Sequence, residues 1–537
     1  MFISRIKTQR KYTAIWRQSG RPILAAGVLA LAACGSSGPE QGDIGFIEGY
    51  FGGLIADEPR AALVGREVLS AGGTAADAVV AAYFAMAVTM PGSASLGGGG
   101  VCLVHDAEQV RTEAISFLPG RPAGPNARFA VPGNVRGMFL LHARYGELVW
   151  SDLLRPAEDF ARSGHAVSRA FVRDYQAAQP VVAFNPEARR VFGSIAGGVD
   201  EGRLFEQLEL GAVMSNLRTL GPGVFYDGSL GRSLASAVRA AGGSMTLEDL
   251  RNYRPELLQP IRFERGDNVV VFPPTLGGLI SAQTWAAAIA DDRFEDAAGV
   301  ARRHLVLEAG ARAYQSTLRG GAAPDLVSES AVSALMADYY STAHSAPRVS
   351  VAVREDDVKS GATIVAVDNL GRTVACSFTM NGTFGAGVIA PATGILLANL
   401  PGTPRSEFPS VAMMVNENVG LTFFAAAGSG PTPVSVARIA VETITATNTL
   451  TATDGDMIGA VAAPRSYSTG NPDAAVVEAA LSGAEQDELR ALGHNLKLVP
   501  QIGRVNGFFC PRGLPRFQVC QFVKDPRSYG LAITSDE

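Results

Sequence analysis

The order of apolar and polar positions along the chain predicts helices that alternate with strands. Residues 75–88 are almost all apolar and follow a Thr-x-x-Asp cap, which is typical of a helix buried on every side. Four glycines at 97–100 then lead into an apolar run that predicts a buried strand over 101–105. Residues 360–380 read as a β-hairpin with its turn at 369–371. Such alternation favours a layered α/β fold.

Composition narrows the class of protein and its partners. The chain has 537 residues, of which 47% are hydrophobic and 18% charged, so it can bury a large core and lacks the signature of disorder. A net charge of -5 without a basic stripe excludes nucleic acid as an expected partner, and small molecules or peptides are favoured. The six histidines are scattered and no metal motif occurs, so we expect neither a metal site nor a cofactor.

The first residues predict export. A basic leader precedes the apolar run Ile23–Ala33, which is too short to span a bilayer and reads as a signal peptide over residues 1–33. The run ends at Ala33-Cys34-Gly35, which resembles a bacterial lipobox, so Cys34 is the expected lipidation site; the alternative is an ordinary signal peptide that contains a cysteine. Residues 34–44 read as a polar tether. We therefore expect a periplasmic protein or a membrane-anchored lipoprotein, which touches membrane only through its lipid.

The other four cysteines divide into two kinds. Cys102 and Cys376 lie in apolar runs and are expected to be buried thiols that behave as small hydrophobes. Cys510 and Cys520 lie close in sequence around Pro and Gly residues, and an exported protein resides where disulfides persist, so this pair is expected to form a bridge.

Several blocks resemble the gamma-glutamyltransferase family, and they follow one another in family order. They are residues 71–106, 130–168, 224–257, 272–283, 462–465 and 525–532. The resemblance implies an N-terminal-nucleophile hydrolase fold, an α/β sandwich of αββα layers. It also implies a chain that cuts itself into a large-subunit-like region, 45–360, and a small-subunit-like region, 361–537. The new N-terminal threonine would then attack a γ-glutamyl amide, with its freed α-amine as general base.

The resemblance breaks down at the nucleophile. Counting back from Asp368, the family's threonine falls on Gly361, which has no side chain to attack with. Ser360 is one residue away and would face the opposite side of the strand, whereas Thr363 is two residues on and keeps the face. Thr363 is therefore the replacement candidate, and the alternative is that it is only a β-favouring strand residue. Thr379 and Asn381 fall on family positions that support the nucleophile and bind substrate.

The substrate pocket also departs from the family pattern. Leu118 stands where the family has the arginine that holds the substrate carboxylate. Arg121, three residues further on, is the candidate substitute if its side chain reaches inward; the alternative is that it faces solvent. Leu400 stands near the place of an acidic pair, and Phe408 replaces a serine. The oxyanion segment becomes residues 428–432, so backbone donors around Gly428 and Gly430 are the candidates there.

Three functions follow from these residues. The first is hydrolysis or transfer of γ-glutamyl or related amides through a substitute nucleophile. The second is a non-catalytic single-chain periplasmic relative. The third is a related amidase or acylase whose acyl pocket is lined by Leu118, Leu400 and Phe408.

Overall fold

A computed structural model describes residues 52–192, 200–347, 351–354, 361–402, 408–445, 456–515 and 520–534. The predicted signal peptide, Cys34, the tether and Ser360 lie outside these ranges. The strands are β1 (Gly53–Ala56), β2 (Gly99–Asp106), β3 (Arg111–Phe117), β4 (His165–Ala166), β5 (Leu204–Phe205), β6 (Glu256–Leu258), β7 (Ile261–Arg265), β8 (Asn268–Phe272), β9 (Ala362–Val367), β10 (Thr373–Thr379), β11 (Ile389–Ala390), β12 (Ile395–Leu396), β13 (Ser410–Asn416), β14 (Leu421–Ser429), β15 (Ser466–Tyr467), β16 (Ala475–Glu478), β17 (Leu496–Val499), β18 (Arg504–Leu514), β19 (Gln521–Val523) and β20 (Leu531–Thr534).

The helices are α1 (Pro59–Ser70), α2 (Ala75–Thr89), α3 (Pro91–Ala94), α4 (Asn134–Tyr145), α5 (Trp150–Leu153), α6 (Arg155–Ser163), α7 (Arg169–Val182), α8 (Pro186–Phe192), α9 (Leu208–Leu220), α10 (Gly223–Tyr226), α11 (Ser229–Ala240), α12 (Leu247–Asn252), α13 (Leu276–Ile289), α14 (Arg293–Asp296), α15 (Val300–Arg319), α16 (Ala323–Leu326), α17 (Glu329–Leu335), α18 (Pro433–Thr445), α19 (Met457–Ala462) and α20 (Gly483–Ala491). A 3₁₀ turn, Ala290–Asp292, joins α13 to α14.

Two large sheets form the centre of the protein. One has seven strands in the order β20-β1-β9-β10-β2-β3-β6, and the other has six in the order β19-β18-β14-β13-β8-β7. The two sheets face each other across an apolar layer in which Val365 and Ala375 of the first sheet cluster with Val411 and Ala425 of the second. Both sheets combine strands from before and after residue 360, so the two predicted regions are interleaved.

Helices cover the outer face of each sheet. α2 is buried along its whole length, as its apolar run predicts, and begins with a capping box between Thr74 and Asp77. It clusters with the first sheet, whereas α13, α15 and α18 contribute to the apolar cluster behind the second sheet. The order helix, sheet, sheet, helix is the predicted αββα sandwich, and the fold prediction is confirmed.

Two disulfides join strands. Cys510 and Cys520 are bonded, with an S–S distance of 2.13 Å. Cys102 and Cys376 are bonded as well, across the directly opposed positions of β2 and β10. The expectation that these two are buried free thiols was wrong, because the strand register that brings them together joins residues 274 apart in sequence. Within the described ranges, no helix combines the length and apolarity needed to cross a bilayer.

Candidate active site

Gly361 directly precedes β9 and forms its head, and any residue with a side chain would be strained at this position. Gly361 is buried and adopts a φ of +87°, which side chains rarely tolerate. A Cβ here would lie 2.5 Å from the carbonyl oxygen of Phe378 and 3.1 Å from the Cβ of Ser429. The carbonyl oxygen of Gly361 accepts a 2.5 Å hydrogen bond from Nη2 of the buried Arg504. The position on which the resemblance places the family's nucleophile therefore carries no hydroxyl and has no room for a side chain.

Thr363 lies two residues further along β9 and is fully buried. Its backbone N–H and its Oγ1 both donate to the same carboxylate oxygen of Asp57, at 2.9 and 3.0 Å. Its carbonyl oxygen accepts the N–H of Asp57 at 3.3 Å, and across β10 it pairs with Ser377. One carboxylate oxygen thus contacts both the peptide nitrogen and the hydroxyl of Thr363. In an N-terminal threonine nucleophile these two atoms would be the amine and the attacking oxygen.

Asn506 of β18 completes this polar group from the opposite sheet. Its Nδ2 donates to Thr363 Oγ1 at 2.7 Å and to the second carboxylate oxygen of Asp57 at 3.1 Å. The amide occupies one lone pair of Oγ1, and the hydroxyl donates its proton to Asp57. Burial raises the pKa of Asp57, while the positive charge of Arg173 and the hydrogen bonds from Thr363 and Asn506 oppose that rise.

A buried ion group lies beside Gly361. Nη1 of Arg504 is 3.6 Å from a carboxylate oxygen of Asp174, and Ser93 Oγ donates to the other oxygen at 2.6 Å. Arg173 donates to Asp174 at 2.9 Å. Burial raises the pKa of Asp174, and the charge of Arg173 acts against the rise. Arg504 connects this group to the head of β9, because it binds the carbonyl of Gly361 as well.

The structure places Thr379 and Asn381 at the turn after β10. Thr379 follows Phe378, whose carbonyl approaches Gly361, and its Oγ1 accepts the N–H of Asn381 at 2.9 Å. Asn381 adopts a φ of +52°, and its Nδ2 donates to the carbonyl oxygen of Asn399 at 2.8 Å. Thr379 therefore holds Asn381 in place near the head of β9, and their roles in catalysis stay predictions.

The glycine segment after β14 also reaches the head of β9. The carbonyl oxygen of Gly428 accepts a 2.6 Å hydrogen bond from Ser377 Oγ, so this residue is tied into the space between the sheets. Ser429, the last residue of β14, is the neighbour that a Cβ at Gly361 would meet. Gly430 follows with a φ of +82°. These residues therefore belong to the surroundings of position 361, and the oxyanion role predicted for Gly428 and Gly430 stays a prediction.

The residues predicted to shape a substrate pocket do not all come together. Arg121 is exposed, and its Nη1 donates to the carbonyl oxygen of Pro401 at 3.4 Å, so it reaches the segment that begins at Leu400. Phe408 instead packs against the helical layer behind the second sheet, with its ring 6.4 Å from that of Tyr314. Phe408 is therefore partly buried against this helical layer, and its role in an apolar acyl pocket with Leu118 and Leu400 stays a prediction.

Sequence reasoning missed three residues of this site: Asp57, Arg504 and Asn506. A signal for two of them was present, because Arg504 and Asn506 alternate with apolar residues and so share one face of a strand. Asp57 follows the apolar strand β1 directly, but nothing in the sequence placed β1 beside β9.

A second polar cluster lies outside the site at β9, and the expectation of no metal site stays a prediction. His304, Glu308 and His494 converge, with one potential ligand atom of each lying within 4.8 Å of the others. Spacing in the sequence gave no sign of it, since 190 residues separate the two histidines that touch.

Comparison with known proteins places the chain in a family. The sequence model of gamma-glutamyltranspeptidase matches residues 61–402. Glutathione hydrolase 2 of Arabidopsis thaliana is 27% identical over 383 residues, which is 66% of this chain and 66% of that protein's length. A glutathione hydrolase of Aspergillus flavus is 26% identical over 566 residues, 94% of this chain and 95% of its own.

A solved structure, the cephalosporin acylase from Bacillus halodurans, has a TM-score of 0.74 at 20% identity and covers 93% of this chain and 98% of its own. That likeness supports the fold. This chain belongs to the gamma-glutamyltranspeptidase family, because the family's model matches more than half of its residues.

Proposed function

We propose that this protein hydrolyses or transfers γ-glutamyl amides, or closely related amides, with Thr363 as nucleophile after the chain is cut between Ala362 and Thr363. The observation that carries the proposal is the double contact of Asp57 Oδ2 with the N–H and the Oγ1 of Thr363. Membership of the family supports the substrate class.

The proposed reaction assigns a place to each proton and bond. Thr363 Oγ1 adds to the amide carbonyl as its proton passes to the freed α-amine of Thr363, which Asp57 orients. The tetrahedral oxyanion collapses, the leaving amine departs with that proton, and a γ-glutamyl ester on Thr363 remains. Water or an acceptor amine then releases the glutamyl group, which is the usual division of acyl transfer into two steps.

The cut also supplies access to the hydroxyl. In the continuous chain Ala362 pairs with Phe378, and the carbonyl oxygen of Gly361 is bound by Arg504, so both residues are held in place directly before Thr363. Once the bond after Ala362 is broken, these two residues are free to leave and Thr363 becomes the head of β9. The glycine segment at Gly430 and the Thr379–Asn381 turn flank this opening as candidate oxyanion and substrate contacts.

A second function is favoured by the burial of Thr363. Its side chain is 0% exposed, and β9 is paired on both sides, with β1 and β10. A chain that stays uncut would present no nucleophile and would serve as a periplasmic binding or scaffold protein, as the non-catalytic alternative predicts. Membership of the family favours γ-glutamyl compounds as the ligands of such a protein. The glycine-specific backbone at position 361 suits this function equally well.

Export completes the proposal. Two disulfides support folding in an oxidising compartment, because such bonds are rare where thiols are kept reduced. A lipid anchor at Cys34 rests on the lipobox resemblance, and mass analysis of the mature N-terminus after detergent extraction tests it.

Release of the anilide from a γ-glutamyl anilide tests the catalytic proposal. The mature protein is expected to release it and, with glycylglycine as acceptor, to release it faster. If the anilide is not released but calorimetry detects binding of a γ-glutamyl amide, the second function holds. Absence of both turnover and binding would contradict the substrate class.

A further inference from the structure

Three of the six histidines meet at a buried carboxylate far from β9 in sequence. His304 and Glu308 lie four residues apart on α15, so they share one face of that helix. His494 comes from the turn after α20, and His344 from the segment that follows α17. The rings of His344 and His494 are 4.6 Å apart, and those of His304 and His494 are 5.0 Å apart.

In His304 and in His344, the ring nitrogen that faces away from the cluster is hydrogen-bonded, which leaves the other ring nitrogen facing the cluster. His304 Nε2 lies 2.8 Å from the carbonyl oxygen of Tyr340, which only accepts, so Nε2 carries the proton and the lone pair of Nδ1 faces His494 Nε2 at 2.7 Å. His344 Nε2 lies 2.9 Å from a carboxylate oxygen of Asp473, and its Nδ1 faces Glu308 Oε1 at 2.5 Å. A carbonyl or carboxylate on the outer nitrogen is the usual partner of a metal-ligating histidine.

The spacing suits a tetrahedral ion. Bonds of about 2.0 to 2.1 Å to zinc place neighbouring ligand atoms roughly 3.3 Å apart. Here His304 Nδ1 and His494 Nε2 are 2.7 Å apart, and His494 Nε2 is 3.9 Å from Glu308 Oε1, so each of these two separations differs from that distance by well under 1 Å. His344 Nδ1, which is 2.5 Å from Glu308 Oε1, would have to shift to complete the sphere. Arg312 binds the other oxygen of Glu308 at 2.6 Å and leaves Oε1 to the centre.

We propose that His304, Glu308, His344 and His494 bind one zinc ion. Four protein ligands close the coordination sphere, so the ion stabilises the fold and performs no reaction. Binding releases the proton that His344 Nδ1 shares with Glu308, and the proton between His304 and His494 moves from His494 Nε2 to His494 Nδ1, because only a nitrogen with a free lone pair coordinates. The ligands come from both sides of residue 360, so the ion would hold the two regions together whether or not the chain is cut.

Metal content of the full mature protein tests the site. After chelation and dialysis, the wild type is expected to bind one equivalent of zinc, and one of cobalt with the intense visible bands of tetrahedral Co(II). His304→Gln and His494→Gln should each lose both signals. His165→Gln, which changes a buried histidine outside the cluster, should retain them.

Asp473→Asn gives a graded test that leaves every ligand in place. Loss of an outer carboxylate is expected to lower the zinc affinity by about 10- to 100-fold. Wild-type protein that binds less than one equivalent, or binding that all the glutamine variants retain, would overturn the proposal. Circular dichroism shows whether the variants are folded. If a variant misfolds, the wild-type titration still tests the proposal, because it needs no variant.

Discussion

The two ends of β9 each depend on a buried aspartate, but the two carboxylates accept different groups. At the far end, Asp368 accepts only backbone N–H groups, from Ala75, Leu370 and Arg372, each at 3.0 Å. At the near end, Asp57 accepts one backbone N–H and also the hydroxyl of Thr363. Asp368 therefore braces a turn and the start of α2, whereas Asp57 also binds a side-chain hydroxyl of β9.

This difference distinguishes the end of β9 that supports the fold from the end that carries the proposed nucleophile. The turn at Asp368 fixes the hairpin in the sandwich through backbone contacts. At the head of β9, position 361 carries no side chain, and the nearest hydroxyl on the strand is that of Thr363. For the proposed function, activity depends on whether this hydroxyl becomes available.

Removal of the Thr363 hydroxyl is expected to have the largest effect. Thr363→Val should reduce anilide release by a factor on the order of 10⁴ or more, as the loss of a nucleophile does in other hydrolases. Thr363→Ser keeps the hydroxyl and should retain release. Thr373→Val, at a buried threonine of β10 whose hydroxyl binds only a backbone carbonyl, is the matched control. Equal activity of the valine and serine variants would refute the role of Thr363.

A side chain at position 361 is expected to destabilise the protein. Gly361→Ala combines a positive φ with a Cβ 2.5 Å from a carbonyl oxygen, whereas Gly202 has a similar φ of +85° and nothing within 4 Å. Gly202→Ala should cost about 1 to 2 kcal/mol of unfolding free energy, and Gly361→Ala about 1 to 3 kcal/mol more, from the added clash. Urea unfolding measures both. Equal losses would mean that the head of β9 has room for a side chain.

The pH dependence of stability tests the turn at Asp368. Burial is the main cause that raises the pKa of Asp368 to about 6 from 3.8, so the folded state holds this proton more tightly than the unfolded state. The resulting stability is fully present below pH 3.8 and is lost as the pH rises through about 6. The stability advantage of wild type over Asp368→Asn should therefore shrink by up to about 3 kcal/mol between pH 4 and 7.

Unfolding in urea at a series of pH values measures that difference. Asp487→Asn, at an aspartate whose side chain is 80% exposed, is the control and should leave the profile unchanged. A constant difference between wild type and Asp368→Asn would contradict the raised pKa.

Arg121 is expected to have the smallest effect. It is exposed and contacts Pro401, so a substrate carboxylate there would gain roughly 0.2 to 1 kcal/mol, and Arg121→Ala should raise KM about 1.4- to 5-fold with kcat unchanged. Arg128→Ala, at another exposed arginine of the same loop, is the control. A larger rise in KM would make Arg121 a principal substrate contact.

Much of the frame could be predicted from the sequence, because short-range patterns encode it. The apolar run of α2, its cap at Thr74 and the hairpin of β9 and β10 all correspond to periods and turn residues that lie close together. The resemblance in blocks then predicted the order of the layers.

The polar contacts of the site could not be predicted in the same way. Asp57 and Asn506 contact Thr363 across 306 and 143 residues of sequence, and those contacts depend on strand register and on how the two sheets face each other. The bond between Cys102 and Cys376 and the meeting of His304 with His494 depend on the same long-range geometry. Alternation along β18 puts Arg504 and Asn506 on one face of the strand, but it reveals neither that this face is buried nor their partners.

The mass and N-terminal sequence of the mature protein test the central claim, that chemistry in this chain starts at Thr363. The account predicts two fragments held together, of which the smaller begins Thr363-Ile364-Val365. A fragment that begins at Gly361, or a polypeptide that remains continuous from residue 360 to 364, would contradict it.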